Sequence, residues 1–150
     1  MRFPDEYLFS KEHTWAFVTK DTATIGITEF AAEELNDILA ADLPQVGDEI
    51  DQGESFGTLE SSKTVSDIYA PVSGEIIEVN ELVINAPSLI NEFPYDDGWL
   101  LKVQLTDKEE LTEDEEHTSL FDSIKYEGYI NEESADADGD DFDDDDDDDY

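Results

Sequence analysis

Gly57-Thr-Leu-Glu-Ser-Ser-Lys-Thr-Val-Ser-Asp-Ile-Tyr-Ala-Pro-Val-Ser-Gly-Glu-Ile-Ile-Glu-Val-Asn80 is the stretch around which the chain is organised. At its centre stands Lys63, one of seven basic residues in a chain of 150 that has 43 acidic ones. Upstream, Phe56, Thr58 and Glu60 mark a strand that turns polar as it nears the lysine. Downstream, Val65 and residues 68–70 begin a second strand. Between them Glu60, Ser61, Ser62, Lys63 and Thr64 have the composition of a hairpin tip. A lysine there is outside any core, on a short turn that another macromolecule can reach. The same pattern, taken alone, also describes a solubilising lysine.

Composition narrows the possibilities. The length suits one domain with an appendage. With no cysteine, the chain has no disulfide, thiolate nucleophile or cysteine-ligated metal. No apolar run approaches the ~20 residues that a membrane helix needs. Met1-Arg-Phe-Pro-Asp-Glu6 lacks the apolar core of a signal peptide, so a cytoplasmic protein is expected, or a mitochondrial matrix protein if the source is eukaryotic. A net charge of −36 repels nucleic acid and anionic membranes and argues against both as partners. Residues 131–150 hold 13 acidic residues and no basic one, which leaves residues 1–130 at −23. Such a surface suits either a high-salt cytoplasm or basic partner enzymes.

Residues 14–20 and 22–27 read as two strands joined tightly at Asp21. Thr28 is placed to cap a helix, with Glu29 at its positive end. Phe30, Ala31, Leu35, Ile38 and Leu39 recur at helical spacing, which predicts a short amphipathic helix over residues 29–40. Residues 46–50 and 72–76 echo each other, a small turn followed by an acidic residue and an isoleucine. Residues 75–79 and 99–105 read as further strands, and 80–91 as a loop with one helical turn at 88–91. Leu120, Phe121, Ile124 and residues 126–130 predict a C-terminal helix that packs back on the sheets. The acidic stretch 107–118 reads as a mobile insertion. The aspartate run beyond Asn131 cannot bury enough apolar area to offset its ordering entropy, so 131–150 reads as a disordered tail. Asp136, Asp138 and Asp140 have calcium-loop spacing, but the glycine is misplaced and the closing glutamate is absent, so no metal site is expected.

No catalytic set is visible. His13 and His117 have no cysteine to activate, and no glycine-rich loop would cradle a phosphate. A carrier needs something simpler: one reactive amine, exposed on a rigid turn, with the chemistry supplied by an attached group.

Glu60-Ser-Ser-Lys63, with Ser66-Asp67 and Ala70-Pro-Val-Ser-Gly-Glu75, resembles the lipoylation segment of the glycine cleavage system H protein family. Glu12-His-Thr-Trp15, Gly26-Ile-Thr28, Leu43-Pro-Gln-Val-Gly47, Pro87-Ser-Leu-Ile-Asn91 and Pro94-Tyr-Asp-Asp-Gly-Trp99 follow the family's order, and the resemblance covers roughly residues 3–130. Biotin carriers usually flank their lysine with methionine, whereas Ser62 and Thr64 flank it here. Lipoyl domains of 2-oxoacid dehydrogenases usually have Asp before the lysine, where this chain has Ser62.

The resemblance implies a mainly β fold: a lipoyl-type flattened barrel or sandwich hybrid with a short helix in the N-terminal half and a C-terminal helix. It implies a carrier domain over 1–130, one lipoic acid bound covalently at Lys63, and recognition of the hairpin through Glu60, Ser61, Ser62 and Thr64. Glu12, His13 and Asp67 match positions associated with a cleft for the loaded arm. Where the family usually reads Glu-His-Glu-Trp, Thr14 replaces the second glutamate. Asn36 stands where the family usually has glycine, and asparagine tolerates a left-handed backbone next best. The implied protein is a monomer and not an enzyme. It would shuttle an aminomethyl group from a pyridoxal-phosphate glycine decarboxylase to a tetrahydrofolate-dependent aminomethyltransferase. Dihydrolipoamide dehydrogenase and lipoate-attaching enzymes would be its other partners. A lipoyl-relay or storage protein, or a related carrier in another redox or sulfur pathway, would need the same lysine.

Overall fold

Among the described residues, alternating apolar side chains build nine strands, with short helices in two of the connections and a longer helix after the last strand. The computed structural model describes residues 7–106, 120 and 122–138, with 132–138 as backbone alone. The strands are β1 (Leu8–Phe9), β2 (Thr14–Thr19), β3 (Thr22–Ile27), β4 (Ile38–Asp42), β5 (Glu49–Ile50), β6 (Ser55–Ser61), β7 (Val65–Tyr69), β8 (Gly74–Val79) and β9 (Leu101–Leu105). The helices are α1 (Glu29–Leu35), α2 (Glu81–Asn85), α3 (Ser88–Glu92) and α4 (Ser123–Asp138). One antiparallel sheet has six strands in the order β1-β2-β3-β9-β8-β5, and a second has three in the order β4-β6-β7. The expected mainly β fold is present as two sheets rather than as one closed barrel. The echoing segments pair with each other: Glu49 lies opposite Glu75, and Gly47 N–H donates to Ile76 O at 2.9 Å.

Ile25, Leu59, Ile76, Leu101 and Val103 are buried in the main core. Removing such side chains from water is the chief stabilising term available to so acidic a chain. A second, aromatic cluster forms from Phe9, Trp15, Tyr95, Tyr126 and Ile130. Trp15 pairs across the strands with Gly26, and a Cβ on that glycine would lie 2.5 Å from the indole ring. The indole N–H donates to Pro94 O at 3.0 Å, so the ring is buried with its polar group satisfied.

Three expectations need correction. The helix over 29–40 ends at Leu35, and Ile38 and Leu39 belong to β4. Asn36 interrupts it with φ 63° and ψ −144°, a backbone conformation no helix can pass through. Ile38 is then buried and Leu39 is exposed beside a bulge. The loop at 80–91 contains a second helix, α2, because the Asn80 side chain accepts from Leu82 N–H at 3.1 Å and caps it. In the C-terminal helix, Tyr126 and Ile130 are buried as expected, but Ile124 points to solvent. Asp122 caps α4 by accepting from Lys125 N–H at 2.8 Å. The helix continues to Asp138, into residues that composition had given to the tail. Residues 1–6, the 107–118 insertion with His117, Phe121, and the aspartate run 139–150 lie outside the described residues.

The Asn36 geometry generates a prediction. Asn36→Gly removes a conformational penalty that outweighs the extra unfolded-state entropy of glycine, so the variant should be more stable by about 1 kcal/mol. A rise in thermal midpoint checks this, and an unchanged or lower midpoint would mean that the turn is not strained.

Candidate functional site

The β6–β7 hairpin holds Lys63 by hydrogen bonds, because its tip has almost nothing apolar to pack. Glu60 pairs with Val65, and Ser61 N–H donates to Thr64 O at 2.8 Å to close the turn. Ser61 is buried while Ser62, Lys63 and Thr64 are exposed. The Ser61 Oγ accepts from both Lys63 N–H and Thr64 N–H at 3.1 Å and donates to Thr64 O at 3.1 Å. Ser62 N–H reaches across to Asp37 O at 2.9 Å. The tip is thereby fixed both within itself and to the turn after α1.

The lysine also serves α1. That helix has Glu29 in its first turn but no basic residue in its last. Lys63 Nζ donates to Glu34 O at 3.3 Å and brings a cation from another element to the negative end of the helix. Glu34 had no signal in the sequence, because its role depends on a contact across 29 residues.

Glu34 also lies on the rim of a cavity of about 210 Å³. Ile27, Leu59 and Ile68 supply its buried apolar wall, with Phe30, Ala31 and Leu35 beside them. Glu12 and Asp67 are exposed at the cavity and His13 is half-buried there, so these three share one surface. A cavity of about 150 Å³ suffices for a ring the size of benzene, so this one can receive a small apolar ring. Glu60, Ser61, Ser62 and Thr64 belong to the hairpin and do not line it.

Two residues behave differently from their neighbours in the sequence. Thr14 is buried; its Oγ1 lies 2.6 Å from Ser10 Oγ and donates to Tyr69 O at 3.0 Å. It ties β2 to the end of β7 and adds no charge. His13 has φ 70°, its Nδ1 lies 2.7 Å from the Tyr126 hydroxyl, and its ring packs on Phe30. The Tyr126 hydroxyl also meets Thr28 Oγ1 at 2.9 Å, and Thr28 caps α1 by accepting from Ala31 N–H at 3.2 Å. Tyr126 thus joins α4 to both the cavity and the start of α1, a long-range link with no local signal. Trp99 is half-buried, with Lys102 Nζ 5.1 Å from its ring, and lies away from the cavity. Among the described residues, no group of three acidic or histidine side chains could hold a metal, and no helix is long and apolar enough to cross a membrane.

A lysine exposed on a braced hairpin beside an apolar cavity is an arrangement suited to a domain that carries an attached group. The chain belongs to the glycine cleavage H-protein family, whose model matches residues 7–133. It is 47% identical over 113 residues to the glycine cleavage system H protein of Staphylococcus epidermidis, covering 75% of this chain and 90% of that one. It is 44% identical over 132 residues to that of Halothermothrix orenii, covering 88% of this chain and 98% of the relative. A crystal structure of a glycine cleavage system H protein from Mycobacterium marinum superposes with a TM-score of 0.77 at 36% identity, covering 86% of this chain and 99% of that one. Members of this family carry a lipoyl group, and the protein is a non-catalytic carrier subunit that works with the other components of the glycine cleavage system.

Ser61→Ala leaves two backbone N–H groups without their acceptor and should destabilise the protein by about 1–2 kcal/mol. Ser62→Ala, at an exposed position whose described bond is through the backbone, should stay within about 0.5 kcal/mol of the parent. Denaturant midpoints at constant slope measure both, and equal effects would contradict the bracing described here.

Proposed function

We propose that Lys63 is the attachment point of one lipoyl group and that the loaded protein carries an aminomethyl unit between enzymes of glycine cleavage. The observation that carries this reading is the exposed Nζ on a hydrogen-bonded tip, beside an apolar cavity with acidic residues at its rim. Attachment would join Nζ to the carboxyl carbon of an activated lipoyl or octanoyl donor, the ammonium giving up two protons in all and the donor its leaving group. When bound, the lipoyl group would supply a disulfide that is reduced as it takes the aminomethyl unit left when a pyridoxal-phosphate glycine decarboxylase releases carbon dioxide from glycine; a tetrahydrofolate-dependent aminomethyltransferase would take the one-carbon unit with release of ammonia, and dihydrolipoamide dehydrogenase would reoxidise the dithiol.

The chain's own residues do the rest. Ser61 holds the tip for the attaching enzyme. Ile27, Leu59 and Ile68 offer an apolar wall that excludes water from the end of the arm. Asp67 and Glu12 provide negative charge for a cationic amine, a duty Thr14 cannot share because its hydroxyl is buried and bonded. The protein acts as a monomer in the cytoplasm, and its acidic surface meets basic patches at the active-site entrances of its partners.

Intact mass after co-expression with a lipoate ligase should rise by one lipoyl group in the parent and not in Lys63→Ala. The loaded parent should support exchange of bicarbonate with the glycine carboxyl group by the decarboxylase, and the variant should not. Modification that persists at another lysine would remove Lys63 from the role; a loaded protein inert in the exchange would point instead to lipoyl relay or storage. Turnover with partner enzymes should fall as salt rises toward 0.1 M, where the Debye length is ~10 Å. A rate indifferent to salt would leave docking to apolar contacts near the tip, such as the exposed Val65.

A further inference from the structure

Asn91 follows the buried Ile90 on α3 and is half-buried against the α1–β4 turn. Its side chain spans that turn. Oδ1 accepts from Ile38 N–H at 2.9 Å, while Nδ2 donates to Asn36 O at 2.6 Å and reaches Ala32 O at 3.4 Å. One side chain therefore binds the last turn of α1, the residue with positive φ after it, and the first residue of β4. These are the groups that a strained connection would otherwise let drift.

The hairpin tip rests on this same turn. Asp37 O accepts Ser62 N–H at 2.9 Å, and Glu34 O accepts from Lys63 Nζ at 3.3 Å. Both carbonyls lie within the segment that Asn91 clamps, between Ala32 and Ile38. Acylation removes the charge of Nζ but leaves one amide N–H, still a donor for Glu34 O. The contact with Asp37 is a backbone bond and does not change.

We infer that Asn91 is a positioning residue for Lys63: by clamping the α1–β4 turn it fixes Glu34 O and Asp37 O, the two acceptors on which the tip leans, and so sets the direction in which the arm leaves the surface beside the cavity. This rests on Lys63 being the attachment point. The clamp acts on the lysine before loading, through the ammonium, and after loading, through the amide N–H at the root of the arm.

The test compares amide hydrogen exchange in the unmodified full chain for the parent, Asn91→Ala, Asn91→Asp and Val103→Ala. Val103→Ala opens a cavity in the main core and serves as the control for loss of stability alone. Asn91→Asp keeps the acceptor for Ile38 N–H and loses both donors, so it tests the clamp with little change of shape. In both Asn91 variants the Ser62 amide should exchange about fivefold faster or more, while Leu59, in the middle strand of the same sheet, changes no more than in the control. With lipoate ligase, both variants should show a severalfold higher KM for the carrier and a nearly unchanged kcat, and Val103→Ala should show neither change. Ser62 exchange that follows Leu59, or attachment kinetics equal to those of the control, would overturn the inference. If Asn91→Ala does not fold, Asn91→Asp decides by the same measurements. A parent chain that takes no lipoyl group sinks the carrier reading and this inference's statement about the arm, whereas a loaded parent with Ser62 exchange unmoved sinks the inference alone.

Discussion

A reactive lysine must stand clear of the core, and a turn clear of the core has no apolar burial to keep it in place. The structure meets this constraint with the Ser61 side chain, which binds three backbone groups of the tip at 3.1 Å. Each such bond is worth about 1 kcal/mol net, yet together they order two exposed residues whose backbone would otherwise cost more than that to fix. The bracing depends on Ser61 being buried. In water its hydroxyl would exchange these partners for solvent at little gain.

The negative charge of the chain changes how its few cations matter. Lys102 and Glu78 pair at 3.7 Å with both side chains largely exposed, a contact that contributes little. Lys63 instead meets the carbonyl end of a helix. The fold must then hold by packing, which explains why the aromatic cluster recruits Tyr126 and Ile130 from α4. Tyr126 stacks on Phe9 with ring centroids 4.8 Å apart and spends its hydroxyl on His13 and Thr28. One residue of the last helix thereby supports both the core and the wall of the cavity.

The strands and the tip were legible because period-two alternation and turn composition are local signals. Thr28 was legible as a cap for the same reason, whereas the backbone at Asn36 was suggested only by the family resemblance. The helix end was misplaced because Ile38 and Leu39 continue a helical spacing that one backbone torsion at Asn36 overrides. Helix α2 was missed because five residues are too few to show a period. Of the site, Lys63 and its neighbours stood out by composition. Glu34, Asn91 and Tyr126 did not, since each acts on a partner far away in the chain, and a single sequence records no such distances.

The place of β9 governs the order in which the molecule can be made. It lies between β3 and β8, with Gln104 opposite both Thr22 and Glu75. The β2–β3 and β6–β7 hairpins connect near neighbours and can form as soon as they leave the ribosome. The larger sheet has no middle until residue 105 has emerged, and until then β3 and β8 each present an open edge. Closing it requires a loop of nearly eighty residues, an entropic cost that grows slowly with length but delays the step. Pairing of β6 with β7 can begin early, but the burial of Ser61 that braces the tip waits for the sandwich behind it. A partner that reads the braced tip therefore meets it only after the chain has finished folding.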